Sequence, residues 1–203
     1  MRVLQLNLNH CEAAEDLLRQ NVIEHKIDIA VLSEPYSIER NSLWVTDRSG
    51  MASIWACGRY PLQQSTSITE DGYTWVKVGG IYFFSCYAPP RWSFIQFVNM
   101  VDKIAADARR LHPVVIAGDF NAWATDWGSI RTSARGQALL ETFSSLDIVL
   151  ANTGNENTFS RNGKSSIIDI TFVSRSLIGA TTWKVSEMYT HSDHQAITYE
   201  ITR

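Results

Sequence analysis

Cysteine is scarce in this sequence, and the three that occur, Cys11, Cys57 and Cys86, form no pattern of pairs. Domains that depend on disulfides carry more cysteines at regular spacings, and structural zinc sites usually contain a CxxC step, which is missing here. We therefore expect neither a disulfide framework nor a structural zinc site. A reducing compartment suits such a chain best.

Long apolar runs are missing as well. No stretch approaches the roughly 20 residues of a membrane-spanning helix, so no membrane partner is expected. The N-terminal sequence MRVLQLNLNH lacks the separate charged, apolar and cleavage regions of a signal peptide, and we expect no secretion. A formal net charge of −3 excludes a general basic surface for nucleic acid, so any such contact must use a local patch.

Proline and glycine are few and spread along the chain, with 5 and 11 of them among 203 residues. No linker, repeat or low-complexity segment interrupts the sequence, and 45% of the residues are hydrophobic. This composition predicts one globular domain over residues 1–203. Because strand-like segments stand at both ends, we expect a domain taken from a larger protein.

Hydrophobic periodicity alternates between the two regular patterns. Apolar residues three and four apart predict helices over residues 12–25, 94–111 and 133–146. Apolar or alternating runs predict strands over residues 3–7, 27–32, 53–56, 65–69, 74–78, 81–87, 113–117, 157–160, 166–173, 182–187 and 195–201. Gly79-Gly80 and Asn162-Gly163 are typical hairpin turns. Together these elements predict an α/β sandwich, in which two packed sheets of mostly antiparallel strands are flanked by helices.

Polar side chains occur at the ends of several predicted strands, where they would meet at one rim. In chain order they are Asn7, Glu34, Tyr87, Asp119, Asn121, Asp169, Asp193 and His194. Taken singly, most of these residues have an ordinary explanation as a turn, a cap or a packing aromatic. Asp169 is the exception, because a carboxylate inside the apolar run IIDITFV needs a partner.

As a set, these residue types supply the parts for metal-assisted hydrolysis of a phosphodiester. Glu34 and Asp193 are hard oxygen ligands suited to Mg²⁺. Asp119 can hold or deprotonate an attacking water. Asn121 and Tyr87 can donate hydrogen bonds to a phosphate.

The histidine of the set has a candidate partner of its own. Asp169 would accept a hydrogen bond from His194, which fixes the tautomer of the ring and favours its charged form.

Six motifs resemble, in the same order, those of the exonuclease–endonuclease–phosphatase superfamily. They are QLNLN (5–9), LSEPY (32–36), SCYAPP (85–90), GDFNA (118–122), IDITFVS (168–174) and HSDHQAI (191–197). The resemblance implies the DNase I-like fold, a four-layered α/β sandwich. It also implies a Mg²⁺ cofactor, for which Mn²⁺ would substitute, and no small-molecule cofactor.

The resemblance further implies a role for each matched residue. Asn7, Glu34 and Asp193 would surround the metal, and Asn9 fits the first position less well than Asn7 does. Asp119 and Asn121 would handle the water and the phosphate. Tyr87 and His194 would contact the phosphate, with Asp169 behind His194.

Within the superfamily, GDFNAWATDWGS (118–129) and ARGQALLE (134–141) resemble the apurinic-endonuclease-type domain of non-LTR (LINE-type) retrotransposons, especially those of arthropods. The Glu34-Pro35 step also resembles these elements. The resemblance implies an endonuclease that nicks double-stranded DNA and leaves a 3′-hydroxyl, which primes reverse transcription of the element's RNA. It implies a reverse transcriptase domain in the same polyprotein as partner, and a nuclear location when active.

Two alternatives stay open. One is a repair-type apurinic/apyrimidinic endonuclease, although such enzymes carry a long loop where this chain has only the short segment 159–168. The other is a DNA-binding domain without catalysis, against which the complete residue set argues. A secreted DNase I fits less well, since a signal peptide and matched cysteines are missing.

Candidate DNA contacts come from two local features. Arg161, Asn162 and Lys164 surround the predicted hairpin turn, where cations would be presented to DNA. Arg131 and Arg135 follow the GDFNA loop. We expect the loop's two tryptophans, at positions 123 and 127, to cover the core rather than to stack on bases.

Overall fold

The computed structural model describes residues 1–67 and 70–202. Its helices are α1 (Glu12–Glu24), α2 (Phe94–Arg110), α3 (Ala134–Phe143) and the short α4 (Arg175–Ile178). Its strands are β1 (Arg2–Asn7), β2 (Ile29–Ser33), β3 (Trp44–Thr46), β4 (Ala52–Ala56), β5 (Leu62–Ser65), β6 (Tyr73–Val78), β7 (Ile81–Tyr87), β8 (Val114–Asp119), β9 (Ile148–Leu150), β10 (Phe159–Arg161), β11 (Lys164–Ser166), β12 (Asp169–Ser174), β13 (Thr181–Val185) and β14 (Ile197–Ile201).

Two mixed six-stranded sheets form the centre of the molecule. The first sheet has the strand order β13-β14-β1-β2-β4-β3, and the second has the order β5-β6-β7-β8-β12-β9. β1 and β2 are parallel, as are β7 and β8, whereas the other pairs are antiparallel. Helix α1 packs on the first sheet and helices α2 and α3 pack on the second, so the predicted four-layered sandwich is confirmed.

Three apolar layers follow from this arrangement. Alternate residues of each strand point to opposite faces of its sheet. On β1, Leu4 and Leu6 pack under α1, whereas Val3 joins the layer between the sheets. The same alternation turns Gln5 and Asn7 inward, where their side chains bond to groups of the second sheet.

Strand register brings the polar ends of the second sheet together. Asp119, at the end of β8, is paired with both Asp169 of β12 and Tyr87 of β7. Gly118 allows β8 to lie this close to β7, because a Cβ there would stand 1.9 Å from the carbonyl oxygen of Cys86. The carboxylates are thus delivered to one end of the sandwich.

The observed elements differ from the predicted ones in a few places. The strand predicted over residues 166–173 is divided, since β11 ends at Ser166 and β12 begins at Asp169. β10 and β11 form a separate two-stranded sheet around the Asn162-Gly163 turn. The strand predicted over residues 65–69 is wrong over residues 66 and 67, because β5 ends at Ser65; residues 68 and 69 of that prediction lie outside the described residues.

The three cysteines are free, as expected. Over residues 1–67 and 70–202, no helix combines the length and the apolar character required to cross a membrane.

Candidate active site

A cleft of about 560 Å³ opens at the end of the sandwich to which the polar strand ends lead. The predicted site residues that line this cleft are Glu34, Tyr87, Asp119, Asn121, Asp193 and His194. Asn9, Pro90, Trp123, Arg135, Phe159, Arg161, Ser166 and Ile168 complete the lining. Both sheets therefore contribute to one site, and its walls are partly apolar.

His194 lies at the back of the cleft between carboxylates. Its Nδ1 is 2.7 Å from Asp169 Oδ2, and its Nε2 is 3.8 Å from Asp119 Oδ2 and 3.8 Å from Asp193 Oδ1. Burial disfavours the charged ring, but the charge and hydrogen bond of Asp169 outweigh it and raise the pKa of His194 to about 9. The ring is therefore an imidazolium at neutral pH, and its free N–H faces the cleft.

Asp119 is almost completely buried, at 2% exposure. Burial, followed by the charge of Asp169, raises the pKa of Asp119 to about 7. Its Oδ1 accepts the backbone N–H of Asn121 at 3.0 Å, and its Oδ2 accepts the side-chain amide of Asn7 at 2.9 Å. A carboxylate with a pKa near neutrality is suited to accepting a proton from water.

Asn7 links the carboxylates of the two sheets. Besides Asp119, its Nδ2 donates to Glu34 Oε1 at 3.3 Å, and its Oδ1 accepts the N–H of Asn9 at 2.8 Å. The sequence predicted Asn7 as a metal ligand. In the structure, the side-chain oxygen of Asn7 points away from the carboxylates and already accepts the N–H of Asn9. In this arrangement Asn7 orients Glu34, and it would have to turn its amide to become a ligand.

Two further donors surround the same space. The Tyr87 hydroxyl is hydrogen-bonded to Glu34, and burial together with that bond raises the pKa of Tyr87 far above its usual value. Tyr87 is therefore neutral at physiological pH. The side-chain amide of Asn121 donates to the carbonyl of Ala88 at 2.9 Å.

The donor set fits a hard divalent cation. Glu34 and Asp193 line the same cleft, and their side chains are only 17% and 14% exposed. In the part of the chain that the structure describes, Asp193 Oδ1 is a buried oxygen without a hydrogen-bond partner. Mg²⁺ typically binds one or two carboxylates and completes its shell with water and substrate oxygens, which matches this pair.

A second group of potential ligands is formed by Asp119, Asp169 and His194, whose ligand atoms lie within 4.8 Å of one another. This group is the weaker metal candidate. His194 already carries its proton toward Asp169, and a metal ligand must be a neutral imidazole. Mg²⁺ also prefers oxygen to nitrogen.

The predicted hairpin is attached to the site by its first strand. Phe159 bridges to His194, and the N–H of Ser160 donates to the carbonyl of Asp193 at 2.9 Å. Arg161 lines the cleft, with Nη1 3.9 Å from Asp193 Oδ2. Asn162 and Lys164 are exposed at the turn, so the hairpin presents two cations beside the site.

Of the two arginines predicted to contact DNA after the GDFNA loop, one is exposed and the other is bound to backbone carbonyls. Arg131 is exposed and stacks on Trp123, 4.8 Å from the ring centroid. Arg135 donates to the carbonyls of Pro89 and Trp92, at 2.9 and 2.8 Å. These bonds give Arg135 a structural role that the sequence did not predict.

The two tryptophans of the loop also differ. Trp127 is 2% exposed and belongs to the core, as expected. Trp123 is half-buried and lines the cleft, so it does more than cover the core.

Three residues that contact the site residues were not assigned a role from the sequence. Ser192 donates to the carbonyl of Asn7 at 2.6 Å and accepts the N–H of His194. Thr158 is buried, and its hydroxyl accepts the N–H of Asp169 at 3.2 Å. His10 places Nε2 3.4 Å from Glu34 Oε2. The position of Ser192 directly before Asp193 was a usable signal, whereas the other two depend on the tertiary fold.

The profile of a family described as "Endonuclease-reverse transcriptase" matches residues 81–198, which is more than half of the chain. Among proteins of curated function, no significant sequence match was found.

Solved structures give a second comparison. The endonuclease domain of TRAS1, a telomere-specific non-LTR retrotransposon, is 26% identical, with a TM-score of 0.83 over 98% of this chain and 97% of that one. The 3′-5′ exonuclease NExo from Neisseria meningitidis is 17% identical, with a TM-score of 0.75 over 99% of each chain. A Neisseria NExo structure, described as a 3′ phosphatase bound to product DNA hairpin, is 15% identical, with a TM-score of 0.77 over 100% of each chain. The two NExo structures show the shared fold alone.

Proposed function

Since the chain belongs to the endonuclease–reverse transcriptase family, we propose that it is a divalent-metal-dependent endonuclease that nicks double-stranded DNA. That it is a nuclease of the DNase I-like superfamily follows from the family and from the fold. The nick would leave a 3′-hydroxyl, which primes reverse transcription of a non-LTR retrotransposon. One observation carries the proposal: His194 and Asp119 lie 3.8 Å apart in one cleft, which the carboxylates of Glu34 and Asp193 also line.

Asp119 acts on the attacking water in the proposed reaction. The water oxygen forms a bond to phosphorus while the bond from phosphorus to the 3′-oxygen breaks. The departing 3′-oxygen takes up a proton from solvent water, so the products are a 3′-hydroxyl and a 5′-phosphate. The proton of the water passes to Asp119, whose pKa of about 7 allows it to accept a proton at physiological pH. Asn121, beside it, donates to the phosphate.

His194 stabilises the charge that develops on the phosphate. Its Nε2–H is aimed into the cleft, because Nδ1 is held by Asp169 at 2.7 Å. A donor fixed in advance costs no reorganisation when the charge forms, which is why such groups contribute strongly to rate. The Tyr87 hydroxyl donates its single proton to Glu34 in the free protein, and it would turn to the phosphate when DNA is bound.

Glu34 and Asp193 would hold the metal, with Asn7 orienting Glu34 through its amide. When bound, Mg²⁺ supplies a Lewis acid that polarises a phosphoryl oxygen and neutralises charge on the leaving oxygen. We expect Mn²⁺ to substitute, since both are hard cations with octahedral oxygen ligands.

DNA would be bound mainly through the hairpin, where Arg161, Asn162 and Lys164 adjoin the cleft. Arg131 offers a further cation, since it stacks on Trp123, which lines the cleft. We expect a reverse transcriptase domain as partner in the same polyprotein and a nuclear site of action. Both expectations rest on the family and on the retrotransposon relative.

Conversion of supercoiled plasmid to open circle tests the activity. Mg²⁺ should support nicking by the wild type, and EDTA should abolish it. Asp119→Ala should be nearly inactive in Mg²⁺, whereas it should bind DNA as before. Full nicking in EDTA, or by Asp119→Ala, would disprove the assigned chemistry. Equal cleavage of intact and abasic oligonucleotides would separate this function from that of a repair enzyme.

A further inference from the structure

A buried carboxylate outside the cleft joins the two sheets. Asp47 lies in the loop between β3 and β4 and is only 5% exposed. Its Oδ1 accepts the backbone N–H groups of Met51 and Ala52, at 2.8 and 3.0 Å. Its Oδ2 accepts the backbone N–H of Gly72, at 2.8 Å, and the hydroxyl of Ser49, at 2.5 Å.

Four donors converge on this one side chain, and only a carboxylate can satisfy them all. A carboxylate offers about four acceptor positions, whereas an asparagine amide replaces half of them with N–H donors. If asparagine replaced Asp47, the N–H groups of its amide would face the N–H of Gly72, and neither group could accept a hydrogen bond. The buried charge is thus stabilised by hydrogen bonds, as burial of a charge requires.

The loops that Asp47 joins continue directly into the cleft. The carbonyl of Met51 accepts the N–H of Glu34 at 2.8 Å, and the carbonyl of Gly72 accepts the N–H of Tyr87 at 2.7 Å. Glu34 comes from the first sheet and Tyr87 from the second, and their side chains are hydrogen-bonded to each other. Asp47 therefore fixes the backbone on both sides of that contact.

Glu34 depends on such support. Its backbone φ is +46°, in the left-handed region that residues other than glycine seldom occupy. Such a conformation persists only where surrounding contacts determine it. The bond from its N–H to Met51 is one of those contacts, and Asp47 holds Met51.

We propose that Asp47 is a positioning residue, which holds Glu34 and Tyr87 in the arrangement that binds the catalytic metal ion. The inference rests on the proposed function, in that Glu34 is taken as a metal ligand. Asp47 acts on metal affinity through Glu34 and makes no contact with the substrate. Residues that orient metal ligands typically change metal affinity by about 10- to 100-fold when they are altered.

Mn²⁺ binding to the full chain, measured by electron paramagnetic resonance of the free ion, tests this role without relying on activity. Asp47→Asn should bind Mn²⁺ about tenfold more weakly than the wild type. Ser49→Ala is the matched control, because it removes one hydrogen bond to Asp47 but none that leads to Glu34 or Tyr87. Ser49→Ala should bind Mn²⁺ like the wild type.

A double variant shows through which residue Asp47 acts. Adding Asp47→Asn to Glu34→Gln should cause no further loss of Mn²⁺ affinity, because the ligand on which Asp47 acts is already removed. A thermal melt of each variant reports whether it is folded. If Asp47→Asn does not fold, Asp47→Glu retains the charge, displaces it by one methylene and should show the same loss.

The outcomes separate the two proposals. Wild-type Mn²⁺ affinity in a folded Asp47→Asn or Asp47→Glu, or full additivity with Glu34→Gln, would overturn the role of Asp47 and leave the proposed function intact. A wild type that binds no Mn²⁺ would overturn the metal-dependent function and, with it, this inference.

Discussion

His194 Nδ1 lies 2.7 Å from Asp169 Oδ2, and both residues are almost fully buried, at 4% and 2% exposure. Burial alone would lower the pKa of the imidazole, so the value of about 9 depends on the neighbouring carboxylates, Asp169 first among them. Asp169 thus keeps His194 positively charged at the back of the cleft, next to Asp119 and Asp193.

Asp169→Asn retains the shape of the side chain but removes its charge. The pKa of His194 should fall toward the ordinary value of about 6.5. The nicking rate at pH 8 should then drop on the order of 100-fold, the scale for losing a fixed charge stabiliser. Single-turnover rates across pH provide the measurement, and a basic limb that stays at the wild-type pH would reject the dependence on Asp169.

The wild-type rate should depend on pH in a bell shape. Asp119 must be deprotonated to accept a proton, so the rate rises as pH passes its pKa of about 7. His194 must be protonated to donate, so the rate falls as pH passes about 9. Raising the Mg²⁺ concentration should move the acid limb of the pH–rate profile to lower pH, because a bound cation favours the deprotonated form of a nearby carboxyl group. A rate that still increases above pH 10 would contradict the role of His194.

Glu34→Ala should weaken metal binding and leave the fold intact. The side chain is 17% exposed at the rim of the cleft and lies outside the apolar core, so its removal creates no large cavity. The Mg²⁺ concentration that gives half-maximal nicking should rise by tenfold or more, because altering even a residue that only orients a metal ligand costs roughly 10- to 100-fold in affinity. Unchanged Mg²⁺ dependence in a variant with a normal melting curve would remove Glu34 from the metal site.

The double change of Arg161 and Lys164 to Ala should alter where DNA is nicked more than how fast. A narrow hairpin tip with two cations suits a minor groove, and groove contacts determine sequence choice. Nick positions on end-labelled duplex should spread, while much of the rate survives. Lys184→Ala, an exposed lysine on β13, is the control. If the nick pattern and the rate are both unchanged, the hairpin makes no DNA contact; a uniform loss of binding with a flatter salt dependence would indicate phosphate contacts only.

The sequence predicted much of this fold because its long elements are strongly periodic. The three long helices begin within one residue of their predicted positions. The sandwich was predicted, whereas two three-residue strands, Trp44–Thr46 and Ile148–Leu150, were not. Strands this short lie at or next to sheet edges and leave no periodic signal in the sequence.

The divided strand has a different cause. Residues 167–173 read IIDITFV, a mostly apolar run, but Ile167 and Ile168 are buried where the chain crosses from the hairpin to the second sheet. An apolar crossing and an apolar strand have the same pattern of hydrophobic residues in the sequence.

The candidate site, too, could be predicted from the sequence only in part. The ends of the predicted strands indicated which carboxylates line the cleft, because the alternation of residues along a strand is visible within a short stretch of sequence. The orientation of the Asn7 amide and the bonds of Arg135 depend on residues far away in the chain, such as Asp119 and Pro89. Asp47 gave no sequence signal at all, since its partner Gly72 is 25 residues away.

The ends of the nick test the central claim most directly. Plasmid nicked by the wild type in Mg²⁺ is given to a DNA polymerase with labelled nucleotides and no prior end treatment. We predict immediate extension from each nick, because cleavage between phosphorus and the 3′-oxygen leaves a free 3′-hydroxyl, and no extension after incubation with Asp119→Ala. Nicks that must first be treated with a phosphatase, or plasmid that stays supercoiled, would contradict the account.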